Sequence, residues 1–347
     1  MNNSTNNSTQ NNSARRDLLA QLFSSGIPRL WCPALTHFSA AQTPDFARIE
    51  AHLQKLAPDV RGLLIPGSTG EGWEMSDADI RGLLQGVLPL AKANGQSVLI
   101  GVLKTTTPAV LECLQDTLSW LIKTSGTSSP LEAMQKMGVV GFTVCPPQGA
   151  ELSQNEIESA LRQVLQIGVP TALYQLPQVT QNEMAPELVA KLAAEFPNFV
   201  LFKDTSGRDV AANAGLDLGG VFLVRGAEGD YSTWTKAGGG VYDGFLLSTA
   251  NVFAPQFSEI FRLLDAGETD HAAQLSMRVS DVVAAGFEMA GEITVGNPFS
   301  NTNKLFDHVV THGERALDLD PPLLYSGARL PQSAVKSAAQ LLQKVGM

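Results

Sequence analysis

The sequence predicts a (β/α)8 barrel followed by a C-terminal helical appendage, and three observations predict it. From residue 29 onward, short apolar runs alternate with helical stretches, giving about eight βα units over ~220 residues. The runs are near-continuously apolar, the pattern of parallel strands whose outer face is covered by helices. No Gly-x-Gly-x-x-Gly opens the first unit, which sets the barrel above an open dinucleotide-binding sheet.

Taken in order, the first dozen residues are almost all Asn, Ser, Thr and Gln without apolar periodicity, so residues 1–14 are expected to be a disordered polar tail. The barrel is assigned to 15–254, with strands at 29–36, 62–66, 97–103, 139–145, 171–176, 199–205, 221–226 and 240–247. Helices between them are read at 44–55, 77–93, 108–122, 154–166, 186–195 and 229–236, and the Ser/Thr/Gly-rich stretch 124–130 as a loop insertion. Beyond Pro255 the pattern is helical at 255–266, 269–289, 303–312 and 332–345, which makes 255–347 the appendage.

Composition narrows the function. At 347 residues and 44% hydrophobic, the chain can bury a large core. A net charge of −10 with no basic stretch argues against a nucleic-acid partner. Three cysteines (Cys32, Cys113, Cys145) without Cys-x-x-Cys spacing fit a reducing compartment. No apolar run approaches the ~18 residues of a membrane span, and the N-terminus lacks a signal-peptide pattern, so a soluble cytoplasmic protein with no membrane partner is expected.

The most informative residue is Lys203, inside the apolar run Phe199-Val200-Leu201-Phe202-Lys203-Asp204-Thr205. An ammonium facing a protein interior is costly unless it is paired or gives up its proton, and a neutral lysine is a nucleophile toward ketones. Pairing with a carboxylate such as Asp204, or snorkelling to solvent, is the alternative reading of the same residue. In a barrel the active site lies at the C-terminal ends of the strands. Those ends carry Thr36, the Gly67-Ser68-Thr69-Gly70-Glu71 turn, Lys104, Thr105, Pro146-Pro147, Tyr174, Lys203 and Gly226-Ala227-Glu228. The turn's hydroxyls and N–H groups could hold a small carboxylate, or it could be an ordinary Gly-rich βα turn. Tyr174 could relay protons to an amine on the neighbouring strand, or be a core tyrosine.

Together these fragments resemble the dihydrodipicolinate synthase/N-acetylneuraminate lyase family of class I, Schiff-base aldolases. The resemblance covers most of 29–312 and rests on Gly-Ser-Thr-Gly-Glu at 67–71, Leu-Tyr-Gln-Leu-Pro at 173–177, Phe-Lys-Asp-Thr-Ser-Gly at 202–207, Arg-Gly-Ala-Glu at 225–228 and the stretch 244–251. It implies that Lys203 forms a Schiff base with pyruvate or a related 2-keto acid. Ser68 and Thr69 would bind the carboxylate, and Tyr174 would shuttle protons. Gly226 and Glu228 would line the substrate site, with Glu228 placed to accept from sugar-acid hydroxyls or else to be a solvated loop carboxylate. An aldehyde is the possible second partner, no metal or organic cofactor is needed, and a homo-oligomer (tetramer or dimer) is the default.

Two departures stand out. Most relatives carry a tyrosine after the fourth strand that reaches into the neighbouring subunit's site, where this chain has Cys145-Pro146-Pro147-Gln148-Gly149. Dihydrodipicolinate synthases also place an arginine for the second substrate's carboxylate after Leu-Tyr-Gln-Leu-Pro, and here the residues are Gln178-Val179-Thr180. The rivals are therefore a keto-deoxy sugar acid dehydratase using the same imine, and a non-catalytic relative that binds a keto acid. A metal-dependent aldolase has little support: only His308 and His312 of the five histidines have i,i+4 spacing, and they fall in the appendage.

Overall fold

All eight apolar runs are strands in the structure, a computed structural model that describes residues 2–344. They are β1 (Leu30–Pro33), β2 (Gly62–Ile65), β3 (Ser97–Val102), β4 (Val139–Val144), β5 (Thr171–Gln175), β6 (Phe199–Asp204), β7 (Phe222–Arg225) and β8 (Gly244–Leu246). They follow one another in chain order and close into a parallel barrel, as the near-continuous apolar pattern requires. Each ladder stops a residue or more short of the apolar run, so the residues that follow project from strand ends. The register sets Tyr174 of β5 against Lys203 of β6, and Lys203 against Val224 of β7.

The helices are α1 (Asn2–Leu22), α2 (Phe46–Leu56), α3 (Asp77–Ala93), α4 (Thr107–Ser125), α5 (Pro130–Lys136), α6 (Gln154–Leu165), α7 (Pro177–Thr180), α8 (Pro186–Glu195), α9 (Val210–Asn213), α10 (Ala250–Asp265), α11 (Thr269–Gly291), α12 (Pro298–His312) and α13 (Gln332–Gln343). Local chemistry starts several of them. Asp45 caps α2 by accepting from Arg48 N at 3.1 Å, and Ser153 with Glu156 forms a reciprocal capping box on α6. The last helix was expected to reach Val345, which lies outside the described residues.

Three local expectations differ from the structure. The polar N-terminus is helical as α1. Its first dozen residues have no apolar stripe, and the anchor is largely polar: Arg15 is fully buried and donates to four backbone carbonyls. These are Phe199 (2.8 Å), Gly219 (2.6 Å), Phe196 (2.9 Å) and Ala193, and Asn11 Nδ2 adds a bond to Ala194 O at 2.9 Å. A guanidinium carries five donors, so one residue satisfies a whole cluster of carbonyls. The expected helix at 229–236 is a series of turns ending in a 3-10 turn at Lys236–Gly238. Gly229 (φ +93°) and Asp230 (φ +51°) are both left-handed, which stops a right-handed helix from starting. The supposed loop insertion shrinks to 126–129, where left-handed Gly126 ends α4 and Ser129 caps α5 through Glu132 N.

The chain packs as two compact units: Met1–Arg29, Ser97–Ala227 and Val241–Phe245; and Leu30–Gln96, Glu228–Gly240 and Leu246–Met347. The core of the first is built on the strand faces of β3 to β7 and the apolar faces of α4, α6 and α8. The second contains an unusual element. Helix α12 is buried from Ser300 to Val309 although its sequence includes Asn301, Asn303, Lys304, Asp307 and His308. Among the described residues, no helix is long and apolar enough to cross a membrane.

Candidate active site

Lys203 is buried in the first unit, 4% exposed, with its Nζ 3.9 Å from the centroid of the Tyr174 ring. Strand alternation and the parallel register put both side chains on one face of neighbouring strands. Tyr174 is itself buried. Asp204, next in sequence, faces the other way: its carboxylate accepts from Ser206 N at 2.8 Å and Gln175 Nε2 at 3.4 Å. Burial pushes the Asp204 carboxyl above the usual range. Cys145, at the end of β4, is within electrostatic reach of the Lys203 amine. Burial pushes its thiol well up, and the lysine's charge only partly offsets this.

Gly226, after β7, makes room for the lysine arm. A Cβ at this position would lie 2.1 Å from Thr205 Oγ1 and 2.7 Å from Lys203 Cε. The glycine is held in place by Arg225. That side chain forms a buried two-pronged ion pair with Asp209 (2.9 and 3.0 Å) and donates to Ala227 O at 2.9 Å. The Tyr242 hydroxyl completes the network by donating to Asp209 Oδ1 at 2.6 Å. Thr205 Oγ1, beside the lysine arm, is buried with no hydrogen-bond partner. A buried hydroxyl left this way is uncommon and is available to a bound molecule.

In the second unit, Ser68 and Thr69 are buried in the turn after β2. Ser68 Oγ accepts from the Trp73 indole at 2.8 Å, so its own proton can be given to another acceptor. Glu228 has a role that sequence reading did not anticipate. Its carboxylate accepts from the hydroxyls of Tyr231 (3.0 Å), Ser248 (2.8 Å) and Thr249 (2.6 Å), and from Thr249 N (3.2 Å). It is a brace between its own loop and the start of α10. Glu71, with φ +63°, accepts from Tyr325 N at 2.9 Å and is ion-paired to buried Lys304.

Among the described residues, His37, His52 and Asp307 bring three potential metal-ligand atoms within 4.8 Å of one another, all buried. Asn251 Nδ2 donates to Pro33 O (3.0 Å) and Ser248 O (2.7 Å), so its Oδ1 is the acceptor for His52 Nε2 at 2.9 Å. That leaves His52 Nδ1 facing Asp307 at 3.3 Å. Arg48 and Lys55 also approach the same carboxylate, at 3.5 and 3.7 Å. The single negative charge is thus already met by protein cations, and the group reads as a buried charge cluster better than as a cation site.

Comparison with known proteins places the chain in a family. The model of the dihydrodipicolinate synthetase family matches residues 122–298, just over half of the chain. The chain belongs to the dihydrodipicolinate synthetase family. As a member it is a lyase of the class I aldolase type, dihydrodipicolinate synthase-like. A 4-hydroxy-tetrahydrodipicolinate synthase of Streptomyces coelicolor is 26% identical over 277 residues, 78% of this chain and 83% of the relative. One from Methanopyrus kandleri is 27% identical over 243 residues, 69% of this chain and 74% of the relative. The fold is shared with YagE, a prophage protein of Escherichia coli K12 solved in complex with pyruvate. The TM-score is 0.70 at 20% identity, covering 92% of this chain and 98% of that one. It is shared also with a 2-keto-3-deoxygluconate aldolase variant of Sulfolobus solfataricus, with TM-score 0.69 at 14% identity, covering 92% and 96%.

The two departures of this family member touch one another. Gln148 Nε2 donates to Val179 O at 3.1 Å, and Gly149 N donates to Thr180 O at 2.9 Å. Asn182 Nδ2 reaches Pro147 O (2.8 Å) and Gly149 O (2.9 Å). Sequence reading missed Thr205, Asp209, Tyr242 and Lys304. Thr205 had a local signal, since it lies two residues beyond Lys203 and so on the same strand face; the others meet their partners only through the fold.

Proposed function

We propose that Lys203 condenses with pyruvate or a related 2-keto acid, and that the resulting iminium drives C–C bond cleavage or formation without a metal or organic cofactor. The observation that carries the reading is the buried Lys203 amine held 3.9 Å from the Tyr174 ring centroid, with Gly226 leaving space for its arm. Lys203 Nζ adds to the C2 carbonyl, the carbinolamine loses water, and the C=N bond becomes the electron sink for the neighbouring carbon. Tyr174 carries the proton to the departing oxygen and takes protons back on hydrolysis. Ser68 and Thr69 are assigned to the substrate carboxylate, for which the Ser68 proton is suited because Trp73 already supplies that oxygen's acceptor bond. The Thr205 hydroxyl is a further polar group for the bound molecule.

The test is incubation with pyruvate and borohydride followed by mass mapping. A reduced adduct on Lys203, absent from Lys203→Ala, is expected; no adduct with pyruvate or any other 2-keto acid overturns the imine. An adduct without turnover across a panel of aldehydes would favour the keto-acid binder. A homo-oligomer, tetramer or dimer, and a cytoplasmic location complete the proposal, the former read by light scattering.

A further inference from the structure

Outside the lysine site, a fully buried ion pair lies behind the Ser68-Thr69 turn in the second unit. Glu71 leaves that turn with a left-handed backbone, φ +63°, which is unfavourable for a non-glycine residue and persists only where surroundings enforce it. Two contacts enforce it here: Tyr325 N donates to one carboxylate oxygen at 2.9 Å, and Lys304 pairs with the other. Lys304 is 1% exposed; it also donates to Leu323 O at 2.8 Å and lies 4.6 Å from the Phe38 ring centroid. A lysine so enclosed has little freedom to reach a substrate.

The turn is tied from several other directions. Gly70 N and Gly72 N donate to Gly67 O at 3.0 and 2.9 Å, and Glu71 N donates to Ser68 O at 3.1 Å. Thr36 Oγ1 donates to Gly70 O at 2.9 Å, and Asn297 Nδ2 to Ser68 O at 3.3 Å. A Cβ at Gly70 would lie 2.7 Å from Ala34 O, so only glycine fits this close approach. Among these ties the Lys304–Glu71 pair is the charged one, and its partners Leu323 and Tyr325 come from the far C-terminal segment.

We propose that Lys304, acting through Glu71, is a positioning residue that sets the 67–72 turn and thereby the Ser68 and Thr69 hydroxyls. The inference rests on the assignment of those hydroxyls to the substrate carboxylate. It has its own reporter, because the Trp73 indole donates to Ser68 Oγ at 2.8 Å. The experiment records the Trp73 indole signal in a proton–nitrogen spectrum, assigned by its loss in Trp73→Phe, for wild type, Glu71→Gln, Lys304→Met and the double variant. The same proteins are trapped with borohydride over a range of pyruvate concentrations.

Displacement of the Trp73 signal is expected in both single variants. The half-saturating pyruvate concentration should rise about fivefold or more, with the limiting trapping rate within about twofold of wild type. The double variant should be no worse than the worse single one, as coupled partners require. An unmoved Trp73 signal in folded variants, or a fall in limiting rate at constant half-saturation, overturns the proposal. Should Lys304→Met fail to fold, Glu71→Gln decides, since it keeps an acceptor for Tyr325 N while removing the charge. Failure of wild type to trap pyruvate or any other 2-keto acid defeats the imine reading instead, and the Trp73 signal still decides whether the pair sets the turn.

Discussion

Replacing Gly226 by alanine adds one methyl group where the structure leaves no room for it. The new carbon would lie 2.1 Å from Thr205 Oγ1 and 2.7 Å from Lys203 Cε, against the 3.4 Å at which ordinary contact begins. Gly226 is not left-handed, so the backbone conformation itself costs alanine nothing. The strand end cannot retreat either, because Arg225 is clamped to Asp209 and Gly226 N donates to Asp204 O at 2.6 Å. Thr205 can rotate without breaking a hydrogen bond, since its hydroxyl makes none. The lysine arm must therefore give way by at least 0.7 Å, the difference between 3.4 and 2.7 Å.

Moving the end of a lysine is cheap for folding, so a stability loss of only about 1 kcal/mol is expected. It is expensive for chemistry: a displacement on the order of 1 Å costs about 10²-fold. The assay pairs the rate of borohydride-trapped pyruvate adduct on Lys203 with thermal unfolding of the same protein. Gly207→Ala is the control. Its φ of +70° imposes about 1 kcal/mol of backbone strain, yet its nearest outside atom is 3.9 Å away, so trapping should be unchanged. Gly226→Ala trapping pyruvate at the wild-type rate would refute the steric reasoning.

Tyr174→Phe keeps the ring beside Lys203 and removes only the hydroxyl, so turnover should fall by about 10²–10⁴-fold while thermal stability stays close to wild type. Arg15→Ala strands the carbonyls of Ala193, Phe196, Phe199 and Gly219, and a loss of about 3 kcal/mol is expected in urea unfolding. No change there would mean that α1 is not part of the stable fold. Acid should destabilise the protein in two steps. Burial lowers the His37 ring well below 6.5, with the charges of His52, Arg48 and Lys304 acting in the same direction and Asp307 opposing. The unfolded chain therefore takes up this proton more readily, and stability is lost as pH falls through about 6.5. Asp307 is held below its usual 3.8: burial opposes this, but the neighbouring His52, His37 and Lys55 charges prevail. A second loss follows below about 3.8 as the unfolded carboxylate protonates. His37→Gln should flatten the first step in pH-dependent denaturation curves.

The barrel was legible because burial on both faces writes itself into each strand as an apolar run, and a lysine or tyrosine interrupting such a run is conspicuous. Lys203 and Tyr174 stood out for that reason. What could not be read were contacts made by polar residues far apart in the chain. Arg15 looks like the edge of a polar tail until the carbonyls of 193–219 surround it. Lys304 sits in a helix whose Asn-rich sequence resembles a solvated face, yet it is buried against Glu71. Glu228 read as either a substrate-binding group or a solvated loop carboxylate, and its bracing role was hidden because Ser248 and Thr249 are about twenty residues away. Helix 229–236 failed on a local matter, since a left-handed Asp after Gly229 is not announced by its residue type alone.

The bond from Gln148 to Val179 has a consequence for altering what the protein accepts. The loop after β4 and the α7 turn are buttoned together by the side chains of Gln148 and Asn182 and by the Gly149 amide, so a change at Gln148 or Asn182 loosens one from the other. A tyrosine placed at 148 gives up the bond to Val179 O, whereas an arginine at 179 leaves that bond intact, because it is made to the backbone carbonyl. Libraries that vary one position at a time would therefore score the change at 148 as the more disruptive of the two. Residue 179 is thus the position at which this part of the chain can be varied with the tie between the two loops kept.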